Sequence, residues 1–295
     1  ERHLLEWEVP WLEGFRESQP VRVGNAASEQ FQLDIYGEVA DLLAQARTGG
    51  LAPHPRSAAL AHSVMPFLEK AWRRPDDGIW EIRGEHRHFV HSKVMAWVAF
   101  DRASKMAADI EGGENYAKPW RRVADDIHED VCRNGYDAEL GSFVQAYGST
   151  ALDASLLHIP LTGFLPADDP RVKGTVAAIE QRLLRDGLVI RYDNGETGDG
   201  LEGEEGAFLA CSFWLADVYA LLGRFDDAVA LYERLCSLKN DVGLLAEEYD
   251  PVGDEMLGNF PQAFSHVGVI ITALNLARAK GPAKERTDTN GQPVA

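Results

Sequence analysis

Helix-length stretches of two kinds alternate along this chain, and that alternation constrains its fold more than any other feature. The stretches near 90–100, 152–164, 207–222 and 263–277 are apolar on all sides, whereas 57–72, 114–132, 170–184 and 225–238 each keep one polar face. A helix apolar all round is buried, and one with a polar face is peripheral. Taken in turn along one chain, the two kinds describe two concentric layers. A further helical period from Ser28, carried by Phe31, Leu33, Ile35, Val39, Leu42 and Leu43, ends at Gly49-Gly50. It brings the expectation to five inner and four outer helices.

A weak repeat supports the same architecture. Gly141-Ser142-Phe143-Val144-Gln145-Ala146-Tyr147 matches Gly258-Asn259-Phe260-Pro261-Gln262-Ala263-Phe264, and Phe89 and Phe208 also precede inner helices. The four phenylalanines are 54, 65 and 52 residues apart, each about one helical hairpin plus a loop. Repeats of such a period signal an array. Inner helices feeding one centre predict an α/α toroid, with an open solenoid as the alternative. Residues 1–24 read as irregular, residues 1–280 as one domain, and 281–295 as a polar, disordered tail.

Composition bounds the function. The formal net charge of −18 disfavours nucleic acid and anionic membranes as partners. No apolar run reaches the roughly 18 residues that a membrane span needs. Cys132, Cys211 and Cys236 are odd in number and far apart, which predicts buried, reduced thiols and a cytoplasmic setting.

In a toroid, the loops that lead into the inner helices share one face. Here they are 73–88, 134–150, 191–206 and 243–262, long enough to carry a site. The first holds Asp76, Asp77, Trp80, Glu81 and Arg83. The third holds Arg191, Tyr192, Asp193, Asp199, Glu202, Glu204 and Glu205. The last holds Glu247, Glu248, Tyr249, Asp250, Asn259 and Gln262. Glu81 between Trp80 and Ile82 is expected to be partly desolvated, which raises a carboxyl pKa and suits a general acid beside a sugar-stacking ring. The plainer alternative is a charged turn capping a helix. Leu244 to Tyr249 reads as extended, so Glu247 and Glu248 should point to opposite sides. Two separated carboxylates facing one pocket are what glycoside hydrolysis requires.

Other chemistries find no pattern. His86, His88 and His91 do not have common ligand spacing, and Asp193 to Glu204 does not match a calcium loop. A Gly-x-Ser-x-Gly elbow, a P-loop and a dinucleotide fingerprint are all absent. The expectation is therefore no metal and no cofactor.

Asp77-Gly78-Ile79-Trp80-Glu81-Ile82-Arg83-Gly84, followed by His88-Phe89 and Ser92-Lys93-Val94-Met95, resembles the general-acid segment of glycoside hydrolase family 15. That family holds glucoamylases, glucodextranases and bacterial trehalases. Leu245-Ala246-Glu247-Glu248-Tyr249-Asp250 and Leu257 to His266 are similar to its general-base segment. Gly200 to Phe208 and Val21 to Ala27 look like its bacterial members. The resemblance, over about residues 1 to 277, implies an all-α, (α/α)6 toroid that hydrolyses terminal α-glucosides with inversion. It implies Glu81 as acid, Glu247 as base, Arg191 and Tyr192 on glucose hydroxyls, Trp80 lining the pocket, and Glu204 or Glu205 on its rim. The family's Trp-x-Arg-Asp segment and N-terminal β-sandwich are not in this sequence. With about nine helices rather than twelve, the chain looks like the C-terminal part of such an enzyme.

The expected partner is then a small α-glucoside or oligosaccharide, trehalose first and malto- or isomalto-oligosaccharides next, with a homo-oligomer left open. The alternatives are a carbohydrate-binding or scaffold toroid without turnover, and a glycoside phosphorylase. The Glu247-Glu248 pair argues against the phosphorylase, which needs a phosphate pocket in place of the base.

Overall fold

The computed structural model describes residues 5–14, 17–52, 55–82, 84–109, 112–193, 206–277 and 283. Its nine α-helices among these residues are α1 (Asp34–Thr48), α2 (Pro55–Ala71), α3 (Val90–Lys105), α4 (Ala117–Asn134), α5 (His158–Leu161), α6 (Pro170–Arg182), α7 (Leu209–Leu221), α8 (Phe225–Ser237) and α9 (Ala263–Ala277). They form an arc in two layers. Helices α1, α3, α5, α7 and α9 make the inner layer, and α2, α4, α6 and α8 the outer one.

Burial sets α3 and α7 apart from the outer helices as the sequence predicts, but α1, expected in the inner layer, buries only Asp34 and Gly37 and exposes Ile35, Val39 and Leu42. In α3, 14 of 16 residues are buried, down to Lys93, Asp101 and Arg102. In the amphipathic α4, by contrast, Trp120, Val123, Ala124, Ile127 and Val131 are the buried stripe, at i, i+3, i+4, i+7 and i+11. Each large apolar side chain so enclosed contributes roughly 1.5–3 kcal/mol. The inner helices α1 and α3 pack closely. A Cβ on Gly37 would stand 2.2 Å from the Met95 carbonyl oxygen.

Three further expectations about the elements need correction. Helix α9, apolar all round, was expected to be buried, yet Phe264, Val267 and Ile270 are exposed. It lies at one end of the arc, packed on α7 and α8, so one apolar side has no neighbour among the described residues. The helix expected over 152–164 is a 3-10 turn, Ala154–Leu157, followed by the single turn α5. It stops at Gly163, whose left-handed conformation, φ 76°, turns the chain out of the helix while Gly163 N donates to the Pro160 carbonyl and Phe164 N to the Ile159 carbonyl. Third, the N-terminal region is not wholly irregular. Strands β1 (Trp7–Glu8) and β2 (Arg22–Val23) pair antiparallel.

The remaining strands are short and lie in the loops. They are β3 (Tyr136–Asp137), β4 (Ser142–Phe143), β5 (Leu184–Arg185), β6 (Leu188–Val189), β7 (Ala207–Phe208), β8 (Glu248–Asp250) and β9 (Glu255–Leu257), with antiparallel pairs β3–β4, β5–β6, β7–β8 and β8–β9.

Successive lead-in segments are hydrogen-bonded to one another. Val90 N donates to Gln145 O and Tyr147 N to His88 O, Ala154 N donates to Arg191 O, and Leu209 N donates to Glu247 O. This belt gathers the loops on one face of the arc.

No helix among the described residues is long and apolar enough to cross a membrane. The three cysteines are unpaired. Cys211 is buried, while Cys132 and Cys236 are only half-buried, less than expected. Of the tail expected to be disordered, Ala283 is described, and it is buried, with its N–H donating to Asn275. The rest of 281–295 lies outside the described residues.

Candidate active site

The loop 73–88 is closed by an antiparallel bridge between Asp76 and Arg87. Asp76 and Asp77, named with the candidate carboxylates, are buried structural acceptors. Asp77 takes the Phe31 N–H at 2.7 Å, and Asp76 takes those of Leu33 at 3.1 Å and Gly78 at 3.3 Å. They hold the segment before α1 against this loop and are not free to act on a substrate. Burial raises the Asp76 carboxyl, against the lowering effect of these N–H groups and of the Lys93 charge. The same burial pushes Lys93 down to about 8, and its Nζ donates to the Trp72 and Arg74 carbonyls.

Glu81 adopts a left-handed backbone conformation, φ 55°. For a residue with a Cβ this conformation is sparsely populated and persists only where its surroundings impose it. The imposing bonds run from Gln30 Nε2 to the Glu81 carbonyl, 3.1 Å, and from Ile82 N to Asp77 O, 3.3 Å. The turn buries Ile82 and sets Trp80 half-buried, while the Glu81 side chain is exposed. The enclosure expected for Glu81 is thus not supplied by the described residues. What they supply is a fixed backbone.

Trp80 is the hub. Its ring lies 5.5 Å from Phe208, 6.0 Å from Trp214 and 6.3 Å from Tyr192. The Arg191 guanidinium stands 5.4 Å from the Trp80 ring centre, 5.5 Å from that of Tyr192 and 5.9 Å from that of Phe208. Its Nη2 is 3.8 Å from Glu248 Oε1. Three sequence-distant loops therefore meet here, bringing Trp80, Arg191 and Tyr192 together.

Glu247 and Glu248 do point to different partners, as strand alternation requires. Glu248 faces Arg191. Glu247 accepts from Asn259 N at 3.0 Å, Asn259 Nδ2 at 2.9 Å and Gln262 Nε2 at 3.2 Å. A carboxylate offers about four lone-pair positions. Two donors sit on Oε2 and one on Oε1, so Oε1 has one lone-pair position that no described residue occupies.

Asp153 was not singled out in the sequence, where it sits inside a stretch read as apolar helix. It is buried, and both its oxygens accept the Trp80 indole N–H at 3.0 Å. It also accepts from Gln145 Nε2 at 3.0 Å and from Ser155 N at 2.8 Å. Burial pushes its carboxyl up, against the pull of these donors. The repeat offered the signal that could have found it. Gln145 and Gln262 occupy matching places, and each donates to a carboxylate, Asp153 and Glu247.

Asp34, at the start of α1, is also buried, and its carboxyl is pushed up to about 6. Burial is the main cause, followed by the charge of Asp76, with a smaller contribution from Glu81. A cavity of about 10 Å³, room for one water, lies beneath Trp80. Phe89, His91, Gln145, Asp153 and Ser155 share its wall, and neither Glu81 nor Glu247 reaches it.

Asp193, another candidate, pairs with Arg185 at 2.8 Å, and Asp250 accepts from Val252 N in a turn. Glu204 and Glu205, with Arg83, Asp199 and Glu202, lie outside the described residues.

The profile of the glycosyl hydrolases family 15 matches residues 2–274. The chain belongs to glycosyl hydrolase family 15. Among curated relatives, a trehalase of Mycobacterium tuberculosis is 46% identical over 292 residues, covering 99% of this chain and 42% of its own length. A trehalase of Thermoplasma volcanium is 40% identical over 276 residues, covering 93% of this chain and 44% of its own length. The chain thus spans less than half of these relatives.

Solved structures share the fold. A glycosidase with a glutamate-to-alanine substitution, in complex with glucose, superposes with TM-score 0.71 at 23% identity, over 84% of this chain and 67% of that one. A bacterial glucoamylase complexed with acarbose gives 0.72 at 14% identity, over 88% and 43%. The two-layered arc is therefore part of the (α/α)6 fold expected from the sequence.

Proposed function

We propose that this family 15 chain carries the acid and base loops of an inverting exo-hydrolase of terminal α-glucosidic bonds, with α,α-trehalose as first substrate. Malto- and isomalto-oligosaccharides come next. In this reading Glu81 gives its proton to the glycosidic oxygen. Glu247, oriented by Asn259 and Gln262, draws a proton from a water seated on its remaining lone pair, and that water attacks from the opposite face. Inversion requires the two carboxyl groups roughly 6.5–9.5 Å apart to admit that water. Trp80 lines the pocket, Arg191 offers donors to the sugar hydroxyls, Tyr192, only 3% exposed, serves the substrate by backing Trp80 and Arg191, and Glu204 or Glu205 forms the rim.

One observation carries the reading. The loop of Glu81 and the strand of Glu248 meet through Trp80, Arg191 and Phe208. The relatives named trehalase support the first substrate. The unpaired thiols support a cytoplasmic setting.

The test is glucose release by the full-length protein from trehalose, maltose, isomaltose and starch, with product anomer followed by NMR. Glu81→Gln and Glu247→Gln should each lower kcat by at least about 100-fold, the scale of a lost general acid or base. Wild-type turnover in either variant would refute the assignment. No release from any substrate by the wild-type protein would favour a carbohydrate-binding toroid, a role that the three donors on Glu247 would also suit.

A further inference from the structure

On the chain, His91 stands nearest to His86 and His88, a spacing that fits no metal site. The fold gives it different neighbours. His91 from α3, His158 from α5 and Glu38 from α1 each bring one ligand atom to a common point, all three within 4.8 Å of one another. The two imidazole rings meet edge to face at 5.0 Å. Three inner helices thus contribute one side chain each to the middle of the arc. The cluster lies below the Trp80 hub, since His158 touches Trp214 at 4.4 Å and Trp214 lies 6.0 Å from Trp80.

His91 is 3% exposed, and neither of its ring nitrogens has a hydrogen-bond partner among the described residues. Buried polar atoms without partners are costly and rare without a reason. A single water in the adjoining cavity can serve one nitrogen. The other remains, and it belongs to the three-atom cluster. Burial and the neighbouring His158 hold His91 well below its ordinary pKa, hence in the neutral form that binds metals.

We propose that Glu38, His91 and His158 bind one divalent transition-metal ion of the zinc class, tying α1, α3 and α5 together beneath the sugar site. Two imidazoles and one carboxylate are borderline ligands that suit zinc and its neighbours rather than magnesium or calcium. Such an ion at about 2.1 Å from each ligand holds tetrahedral ligand atoms about 3.4 Å apart. The three atoms must therefore close by roughly an ångström. The fourth position goes to water, and the cavity water takes the outer N–H of His91, the usual support for a ligating imidazole.

The experiment uses the tag-free, full-length protein, stripped with chelator and titrated with Zn²⁺ by calorimetry, with Co²⁺ as a spectroscopic probe. The expected result is one ion per chain, a tetrahedral Co²⁺ absorption band and a higher Tm with Zn²⁺. His91→Ala should weaken binding by at least about tenfold, the loss typical even of outer-sphere changes. Glu38→Gln, at an exposed position, should weaken it too and provides a second variant should His91→Ala fail to fold. Absence of stoichiometric binding, or binding unchanged in Glu38→Gln and His91→Ala, overturns the proposal. Both readouts are independent of sugar cleavage, so the ion can fail while the hydrolase stands, or the reverse.

Discussion

Asp153→Asn is the perturbation that most directly probes how the loop of Trp80 and Glu81 is held. The substitution keeps shape and volume and replaces one carboxylate oxygen by an NH2. Both oxygens are occupied by donors. Oδ1 takes Trp80 Nε1 and Ser155 N, and Oδ2 takes Trp80 Nε1 and Gln145 Nε2. The amide oxygen can keep the Trp80 bond, but its NH2 must then face the donor of either Gln145 or Ser155. A buried donor left without an acceptor costs about 1–3 kcal/mol. For a chain of this size that lowers Tm by roughly 2–4 °C per kcal/mol. A shift of Trp80 by even about 1 Å costs on the order of 100-fold in rate where geometry matters.

The assay is a double-mutant cycle. Asp153→Asn, Trp80→Phe and the double variant are compared by urea denaturation and by glucose release from trehalose in the full-length protein. Since Trp80→Phe removes the indole N–H, the two changes should couple by about 0.5–3 kcal/mol, as residues in contact do. Additive stabilities within about 0.3 kcal/mol, together with additive effects on turnover, would refute the view that Asp153 acts through Trp80.

Other consequences follow from single positions. Gly258 has φ 73°, and a Cβ there would lie 2.8 Å from Glu247 Oε2, so Gly258→Ala should strain the turn by about 1–2 kcal/mol and lower kcat. A variant of normal turnover would refute the proposed role of Glu247 as base. Gly37→Ala would gain about 1 kcal/mol of helix propensity, but a Cβ 2.2 Å from the Met95 carbonyl forces α1 from α3. Overpacking of about 1–3 kcal/mol wins, and urea denaturation should show a net loss. Because the Asp34 carboxyl titrates at about 6 in the folded chain, above its ordinary value, the stability tied to its proton is present at low pH and lost as pH rises through 6. Asp34→Asn should therefore match the wild type near pH 4 and exceed it above pH 7, by up to about 3 kcal/mol. Equal stability at both pH values would contradict the burial argument.

The layering was legible in the sequence because helix amphipathicity is a local property. Val90 to Ala103 carries its own burial pattern, and so does the stripe from Trp120 to Val131. The same rule misreads α9, because what covers a helix depends on its neighbours, and Phe264 to Ile270 lie at the end of the arc. The opposed directions of Glu247 and Glu248 were readable from strand alternation alone. Asp76 and Asp77 were not readable as structural, since a loop acid looks alike in sequence whether it meets sugar or a backbone N–H.

The side chains that organise the site share one trait, in that each acts across a large chain separation. Asp153 holds Trp80 from 73 residues away, and Gln30 holds the Glu81 carbonyl from 51. Glu38, His91 and His158 meet from three helices. Motif spacing records which residues travel together along the chain. It says nothing of partners that only the closing of the helical layers brings together. Here those partners fix the conformation of Glu81, the seat of Trp80 and the floor beneath both.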